Sequence, residues 1–302
     1  MSLWNQYHIA TSIDDALEAL EKSPQPAVLV AGGTDLLLEL QQGHHPPVQT
    51  LVDLTRIPEL NRLEIRDERL FIGASVPVNC VSESPLVLTH AQAVAEGCAL
   101  IGGPQVRNAA TLGGNVAHAL PAADGMIGLV AVDAVAVVAD RTGCREVPIL
   151  SLFKGPGQSS LVAGKELLVG FYISTQQPNQ ASAFRRIMRP QGVALPILNT
   201  AVWLERDGAN LKQVRIAIGP AGPTPQRASS LENFLNGTVF NRANLDAVKA
   251  LLRTSMRFRT SPYRSTADYR YDVGEALLEE VITAAWVRSG GERKLAWTLL
   301  VE

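Results

Sequence analysis

Two glycine pairs are the residues of this chain whose types and spacing best fit a chemical role. They lie in the sequences AGGTD at positions 31–35 and TLGGN at positions 111–115. Glycine has no Cβ atom, so backbone N–H groups beside it can approach phosphate oxygens closely, and a positive φ costs little there. A turn that leads into a helix adds the positive end of the helix dipole. Two such turns could hold a pyrophosphate from both sides, although a single glycine pair is more often an ordinary tight turn.

Other common chemistries find little support in the sequence. No GxGxxG follows a strand with an acidic residue about 20 positions later, and no GxxxxGK[ST] occurs, so neither a Rossmann site nor a P-loop is indicated. The five histidines show no metal-ligand spacing. Cys98 lies among apolar residues of a predicted helix, which favours packing over catalysis. Ser159 and Ser160 lack the GxSxG context of a nucleophile. We therefore predict no metal site and no catalytic side chain.

Composition limits the class of protein. The chain has 302 residues, 46% hydrophobic and 19% charged, with a net charge of −2. It can build a core, but it has no basic field for nucleic acid. Three dispersed cysteines form no CxxC pair and argue against a disulfide framework. The first residues do not resemble a signal peptide, and the most apolar run, 125–139, is too short to span a bilayer. We expect a cytoplasmic protein without membrane insertion.

The elements that must position the glycine turns follow from the apolar pattern. A short strand precedes the first turn and a helix follows it, whereas the second turn lies in a glycine-, alanine- and asparagine-rich segment, 101–125, predicted to be a buried loop around a ligand. A polar, proline-containing stretch at 176–180 indicates a domain boundary. The predicted fold class is α+β. Predicted strands are 27–30, 51–54, 70–74, 134–139, 167–173, 196–205 and 211–218; predicted helices are 16–20, 34–42, 85–101, 126–132, 228–235, 241–258 and 267–289.

Four sequence motifs together resemble one family. AGGTD at 31–35 and GGPQVRNAATLGGNVAHALPAADGM at 102–126 are followed by RIAIGPAGPTPQRA at 215–228 and STADYRYDVGEALLEEVI at 265–282. Their combination is similar to the FAD-binding medium subunit of the molybdenum hydroxylases, the xanthine dehydrogenase and carbon monoxide dehydrogenase family. The resemblance implies a two-lobed FAD-binding domain of the p-cresol methylhydroxylase type over 1–176, with lobes at about 1–57 and 58–176. It implies a smaller α+β C-terminal domain over 177–302.

The resemblance also implies site residues. Asp124 matches an acid that hydrogen-bonds the ribose-ribityl part of FAD, although it could equally cap the helix that follows. Ile101 and Leu168 match apolar positions against the adenine, and Arg185 matches a basic position near the flavin. The two pyrophosphate loops comprise Leu29, Val30, Ala31, Gly32, Gly33, Thr34, Asp35 and Leu36, and Ala110, Thr111, Leu112, Gly113, Gly114 and Asn115.

The implied function is that of an FAD-carrying electron-transfer subunit. Substrate is oxidised on a molybdopterin-binding large subunit, a 2Fe–2S small subunit passes electrons to FAD, and FAD reduces an acceptor such as NAD or a quinone. Many relatives carry an acid and an aromatic residue in the loop that reaches the flavin. Here the run at 189–193 is Arg-Pro-Gln-Gly-Val, so the acceptor stays open. Two alternatives are a scaffold or assembly paralogue with the same fold, and a free-standing flavin oxidoreductase.

Overall fold

The N-terminal lobe is a small parallel sheet flanked by helices, and the first glycine loop lies at its edge. The computed structural model describes residues 3–189, 195–262 and 264–291. Strands β1 (Gln6–Ile9), β2 (Ala27–Val30) and β3 (Thr50–Asp53) pair in the order β1-β3-β2. Helix α1 (Ile13–Lys22) follows β1, and helix α2 (Leu36–Gln42) follows β2. The Ser12 hydroxyl accepts a hydrogen bond from the Asp15 N–H and so caps α1, which begins three residues before the predicted helix at 16–20.

The second lobe is built on an antiparallel sheet. Its strands are β4 (Leu63–Arg66), β5 (Arg69–Gly73), β6 (Val135–Asp140), β7 (Gly143–Pro148) and β10 (Leu167–Ser174), in the order β4-β5-β10-β6-β7. A two-stranded ribbon, β8 (Phe153–Gly155) and β9 (Gln158–Ser159), and two 3-10 turns, Glu59–Asn61 and Ile149–Leu152, complete the strand-and-turn part.

Six short helices occupy the stretch between β5 and β6. They are α3 (Val78–Glu83), α4 (Pro85–His90), α5 (Gln92–Ala99), α6 (Pro104–Ala109), α7 (Leu112–Ala117) and α8 (Asp124–Ala131). The helix predicted over 85–101 is two helices, because Ala91 leaves helical geometry at φ −148° and ψ 51°. The predicted loop at 101–125 contains α6 and α7. Pro104 occupies the first turn of α6 and Thr111 caps α7, so local start signals suffice even in this glycine-rich segment.

The C-terminal part is a four-stranded antiparallel sheet with helices. Strands β11 (Gln180–Met188), β12 (Pro196–Asp207), β13 (Asn210–Gly219) and β14 (Gln226–Arg227) pair in sequence order. Helices α9 (Ser229–Leu235), α10 (Arg242–Ser255) and α11 (Ala267–Arg288) follow. The predicted strands and helices here are present, but β11 was not predicted from the sequence. The predicted α+β fold class is confirmed.

The C-terminal sheet is covered on both faces. One face carries Phe184, Ala201, Trp203 and Ala217 into the core of the N-terminal part, where α5 and α8 lie against it. The other face packs in a second core with α9, α10 and α11. All eight residues of α8 are buried. Among the described residues, no helix combines the length and the apolar character needed to cross a membrane.

Candidate functional site

A cleft joins the two glycine turns to the C-terminal sheet. Its volume is about 1540 Å³, above the roughly 300–1,000 Å³ of most small-molecule sites. Its wall contains residues of both N-terminal lobes, and then continues through Asp124 and Arg186 to residues of the segments 220–226, 255–262 and 264–270. The cleft is therefore large enough for an extended ligand such as a dinucleotide.

The first glycine loop presents backbone donors to this cleft. It connects β2 to α2, and Gly33 has a φ of 66°, which favours glycine. The N–H groups of Gly32, Gly33 and Thr34 donate to no acceptor in the described part of the chain. A Cβ on Gly32 would lie 2.1 Å from the Ala109 carbonyl oxygen, so the loop touches the backbone that leads into the second turn. The two turns thus form one cradle, with free N–H groups on its first side.

The second glycine turn contains one packing glycine and one that faces the cleft. Gly113 donates to the Ala74 carbonyl at 2.9 Å, and a Cβ there would lie 2.5 Å from that oxygen. Gly114 lines the cleft and donates to the Thr111 hydroxyl at 3.1 Å. A Cβ on Gly114 would meet only that hydroxyl oxygen, at 3.1 Å. Gly113 therefore serves the fold, and Gly114 leaves room for whatever occupies the cleft.

Asp124 is a buried carboxylate at the middle of the cleft wall. It is 4% exposed, it forms an ion pair with Arg186, and its Oδ1 accepts from Asn199 Nδ2 at 2.8 Å. Burial is the main influence on the carboxyl group and raises its pKa to about 6, against the opposing effect of the Arg186 charge.

Asp124 begins α8 but makes no capping hydrogen bond. Asn115 Oδ1 instead accepts a hydrogen bond from the Met126 N–H at 3.2 Å. The capping role considered for Asp124 is therefore wrong, and Asn115 links the second glycine turn to α8.

Most of the predicted site residues meet in this cleft. Leu112 and Gly113 are buried beneath it, and Leu168 lies in the β10 sheet with 5% exposure, away from the cleft lining. The predicted residues that line the cleft are Leu29, Val30, Ala31, Gly32, Gly33, Thr34, Asp35, Leu36, Ile101, Ala110, Thr111, Gly114, Asn115 and Asp124.

Arg185 does not line the cleft. Its guanidinium lies 3.3 Å from Glu96 and 3.9 Å from Glu280. Because side chains alternate along a strand, the next residue of β11, Arg186, points the other way and reaches Asp124. Of the predicted acceptor loop at 189–193, residues 190–193 lie outside the described residues.

The sequence did not indicate three residues of the site. Arg186 and Arg270 line the cleft, and Asn199 donates a hydrogen bond to Asp124. The alternation in β11 and β12 could have indicated Arg186 and Asn199, but only if β11 had first been predicted as a strand. Nothing local in the sequence indicates that Arg270 is buried beside the cleft.

Family comparisons assign both parts of the chain. Residues 3–174 match the model of the FAD binding domain in molybdopterin dehydrogenase, and residues 182–285 match that of the CO dehydrogenase flavoprotein C-terminal domain. A xanthine dehydrogenase FAD-binding subunit of Escherichia coli O157:H7 is 30% identical over 289 residues, 95% of this chain and 97% of the relative. The carbon monoxide dehydrogenase medium chain of Hydrogenophaga pseudoflava is 29% identical over 285 residues, 94% of this chain and 97% of the relative.

Solved structures show the same architecture. A chain of carbon monoxide dehydrogenase from Hydrogenophaga pseudoflava superposes with a TM-score of 0.87 at 28% identity, covering 94% of this chain and 98% of the other. A chain of quinoline 2-oxidoreductase from Pseudomonas putida 86 gives 0.84 at 25% identity, with 98% of each chain covered. The protein is thus an FAD-binding flavoprotein subunit of an oxidoreductase and belongs to the family of molybdenum hydroxylase medium subunits.

Proposed function

We propose that the chain transfers electrons between the metal centres of a molybdenum hydroxylase and an external acceptor. In this proposal a molybdopterin-binding large subunit oxidises the substrate, and a 2Fe–2S small subunit delivers the electrons. FAD, when bound, supplies the redox chemistry, and the protein supplies binding, orientation and electrostatics. The acceptor is a diffusible oxidant such as NAD or a quinone.

The observation that carries the proposal is the cradle formed by the two glycine turns. Free N–H groups of Gly32, Gly33 and Thr34 open into the cleft, and the Gly114 backbone closes it from the other side. Backbone N–H groups at the start of a helix are suited to phosphate oxygens. We therefore assign the FAD pyrophosphate to the space between the first and second turns.

The remaining contacts follow from the cleft wall. Asp124 is held by Arg186 and Asn199, so its oxygens are fixed in position where ribityl or ribose hydroxyls can donate to them. Of the two adjacent arginines of β11, Arg186 lines the cleft and Arg185 does not, so we transfer the proposed flavin-proximal role to Arg186. Ile101 remains a proposed apolar contact for the adenine, whereas Leu168 can act there only by supporting the wall from below.

A substitution at Gly114 tests the cofactor site. A methyl group there meets only the Thr111 hydroxyl, so Gly114→Ala keeps the fold while filling space in the cleft. We expect the purified variant to lose most of its FAD, measured by the flavin absorbance per chain and by quenching of FAD fluorescence on titration. Gly103→Ala is the matched control, because Gly103 is outside the cleft lining and a Cβ there meets only the Gln105 side-chain oxygen, at 3.5 Å.

The outcomes separate the proposal from its alternatives. Full flavin content in Gly114→Ala would overturn the pyrophosphate placement. A wild-type chain that binds no FAD after reconstitution would favour the scaffold alternative. Turnover of an organic substrate by the isolated FAD-loaded chain would favour a free-standing oxidoreductase. Recovery of an active complex only after adding the molybdopterin and 2Fe–2S subunits is the result that the proposal requires.

A further inference from the structure

The C-terminal wall of the cleft carries four arginines without acidic partners. Arg257 and Arg259 are exposed at its rim, Arg264 is half-buried, and Arg270 is buried. None of the four lies within 4 Å of a carboxylate oxygen in the described ranges, although most arginines elsewhere in the chain do. The cluster is therefore not part of the ion-pair network that covers the rest of the surface.

Arg270 is the unusual member of this cluster. It is 5% exposed, yet it has only two neutral partners: Nε donates to Ser265 Oγ at 3.0 Å, and Nη1 donates to the Pro220 carbonyl at 3.4 Å. Its Nη2 has no hydrogen-bond acceptor among the described residues. Burying a charge without an opposite charge is costly, so such a residue indicates an anion that occupies the adjoining space.

The surroundings of Arg270 favour an anion further. Arg270 lies in the first turn of α11, a 22-residue helix capped by the Thr266 hydroxyl, where the helix dipole is positive. Burial, together with the charges of Arg264 and Arg259, lowers the pKa of Arg270 below its usual range. Burial and the two neighbouring arginine charges thus disfavour this cation unless a negative charge occupies the adjoining space.

The acidic residues on the opposite wall of the cleft do not supply the negative charge that Arg270 lacks. Asp124 is paired with Arg186, and Glu39 lies 3.1 Å from His118 Nε2. Asp35 lies 3.6 Å from the same imidazole. These acids belong to the lobes that carry the glycine turns. The cleft therefore has an N-terminal wall suited to one phosphate group through backbone N–H groups, and a C-terminal wall suited to another through arginines.

We propose that Arg270, with Arg259 and Arg264 at the rim, forms a second phosphate-binding site in the cleft. Guanidinium groups bind phosphate through paired hydrogen bonds, and Arg270 keeps both N–H groups of Nη2 and one of Nη1 for such a pair. The phosphate belongs to a phosphate-bearing electron acceptor, because FAD carries a single pyrophosphate and that group is assigned to the glycine cradle. The site stands on the arginine geometry alone, whereas its assignment to an acceptor rests on the proposed function.

Titration with inorganic pyrophosphate tests the site. Calorimetry is done on the full-length chain, with FAD removed and with FAD bound. We expect Arg270→Gln to weaken pyrophosphate binding about ten- to a hundredfold, the loss typical of hydrogen bonds to a charged group. Arg253→Gln is the matched control, because Arg253 is an exposed arginine already paired with Asp272 and Glu275; its affinity for pyrophosphate should change less than twofold.

The FAD-loaded and apo chains together test this assignment. Pyrophosphate that binds the FAD-loaded chain as tightly as the apo chain assigns the site to the acceptor. Pyrophosphate displaced by FAD, together with weaker FAD binding in Arg270→Gln, would overturn both the acceptor site and the placement of the FAD pyrophosphate in the glycine cradle. Equal pyrophosphate affinity in wild type and Arg270→Gln would overturn the site, while leaving the FAD cradle and its Gly114→Ala test untouched.

A second pair of variants guards against misfolding of the buried substitution. Arg270→Lys keeps the charge and should retain part of the affinity. Arg259→Gln changes only an exposed side chain, and it should weaken pyrophosphate binding several-fold with an unchanged thermal midpoint. If Arg270→Gln does not fold, unchanged affinity in Arg259→Gln and Arg264→Gln would overturn the proposal by itself.

Discussion

At the scale of single residues, one buried trio connects the two parts of the chain at the cleft. Asp124 comes from α8, Arg186 from β11 and Asn199 from β12. The side chains of Asp124 and Arg186 are both 5% exposed, so neither charge is solvated by bulk water. The trio thus fixes the orientation of the carboxylate, at the cost of removing two charges from water.

The titration of Asp124 gives a pH-dependent prediction. Burial raises its pKa to about 6, whereas the unfolded chain should titrate near 3.9. The folded state therefore binds the proton more tightly, and this stabilising contribution is fully present below about pH 4 and is lost as the pH rises through 6. The difference between the folded and unfolded pKa values, about 2, corresponds to about 3 kcal/mol of stability. Urea unfolding of the apo chain should show this loss in wild type between pH 4 and 7, relative to Asp124→Asn.

The comparison with Asp124→Asn removes all other titrating groups from the result. The variant leaves Arg186 buried without a counter-charge, so its stability is lower overall, but that offset does not titrate over this range. A stability difference between the two proteins that stays constant from pH 4 to 7 would contradict the raised pKa.

Adjacent glycines in the second turn should respond differently to the same substitution. A Cβ on Gly113 would lie 2.5 Å from the Ala74 oxygen and 2.6 Å from the Ala74 Cβ, so Gly113→Ala must displace backbone. We expect a loss of about 1–3 kcal/mol in the free energy of unfolding, as is usual for overpacking. Gly114→Ala should change the unfolding free energy of the apo chain by less than about 1 kcal/mol. Equal destabilisation by both would show that Gly114 is also a packing residue.

At the scale of elements, Glu96 joins three of them. It lies on α5, accepts from the Phe184 N–H of β11 at 2.8 Å, and forms an ion pair with Arg288 near the end of α11. Arg288 also donates to the Ser182 carbonyl at 2.8 Å, and the Ser182 hydroxyl accepts from the Ala93 N–H at 3.0 Å. These bonds fix β11 between α5 and α11, and so place Arg186 toward the cleft and Arg185 away from it.

Removing the Arg288 side chain should therefore lower the free energy of unfolding more than removing an exposed arginine side chain does. Arg288 is partly buried and bonds both a carboxylate and a carbonyl, so we expect Arg288→Ala to lower the unfolding free energy by about 2–3 kcal/mol. Arg253→Ala, which breaks exposed ion pairs between α10 and α11, should lower the unfolding free energy by less than about 1 kcal/mol. Chemical denaturation compares the two. Equal losses of unfolding free energy in Arg288→Ala and Arg253→Ala would mean that the contacts of Arg288 with Glu96 and Ser182 stabilise the fold no more than an exposed ion pair does.

The sequence predicts these elements unequally, for physical reasons. The apolar pattern and its flanking turn residues predict β2, β12, β13 and α11 within one or two residues, and the first glycine pair predicts the first side of the cradle. Strand β11 was not predicted because a polar start and the adjacent Arg185 and Arg186 interrupt its apolar pattern. Its apolar residues are buried only through tertiary contacts such as that with α5, which the sequence does not reveal. The same omission explains why the sequence indicates Arg185 and not Arg186, since knowing which of the two lines the cleft requires knowing the strand and the direction in which its side chains point.

At the scale of the whole molecule, the two family regions share one core. Phe184, Ala201, Trp203 and Ala217 pack with residues of the N-terminal part, including those of α8. Arg215 strengthens the junction by stacking over Trp203 at 3.8 Å while donating to the Val132 carbonyl at 3.2 Å. The cleft itself takes walls from both regions, so we expect neither region to form the complete site alone.

This shared core predicts the behaviour of a fragment that ends at residue 176. Without the C-terminal sheet, α5 and α8 lose the apolar face that covers them, and all eight residues of α8 are buried in the intact chain. An exposed apolar patch of this kind promotes association. We expect the fragment 1–176 to bind a hydrophobic dye, to elute as aggregates in size-exclusion chromatography and to retain little FAD, whereas co-expression with 177–302 restores a soluble, flavin-containing species. A monomeric fragment with full flavin content and no dye binding would instead show that the glycine cradle needs no support from the C-terminal wall, and that the junction serves assembly rather than cofactor retention.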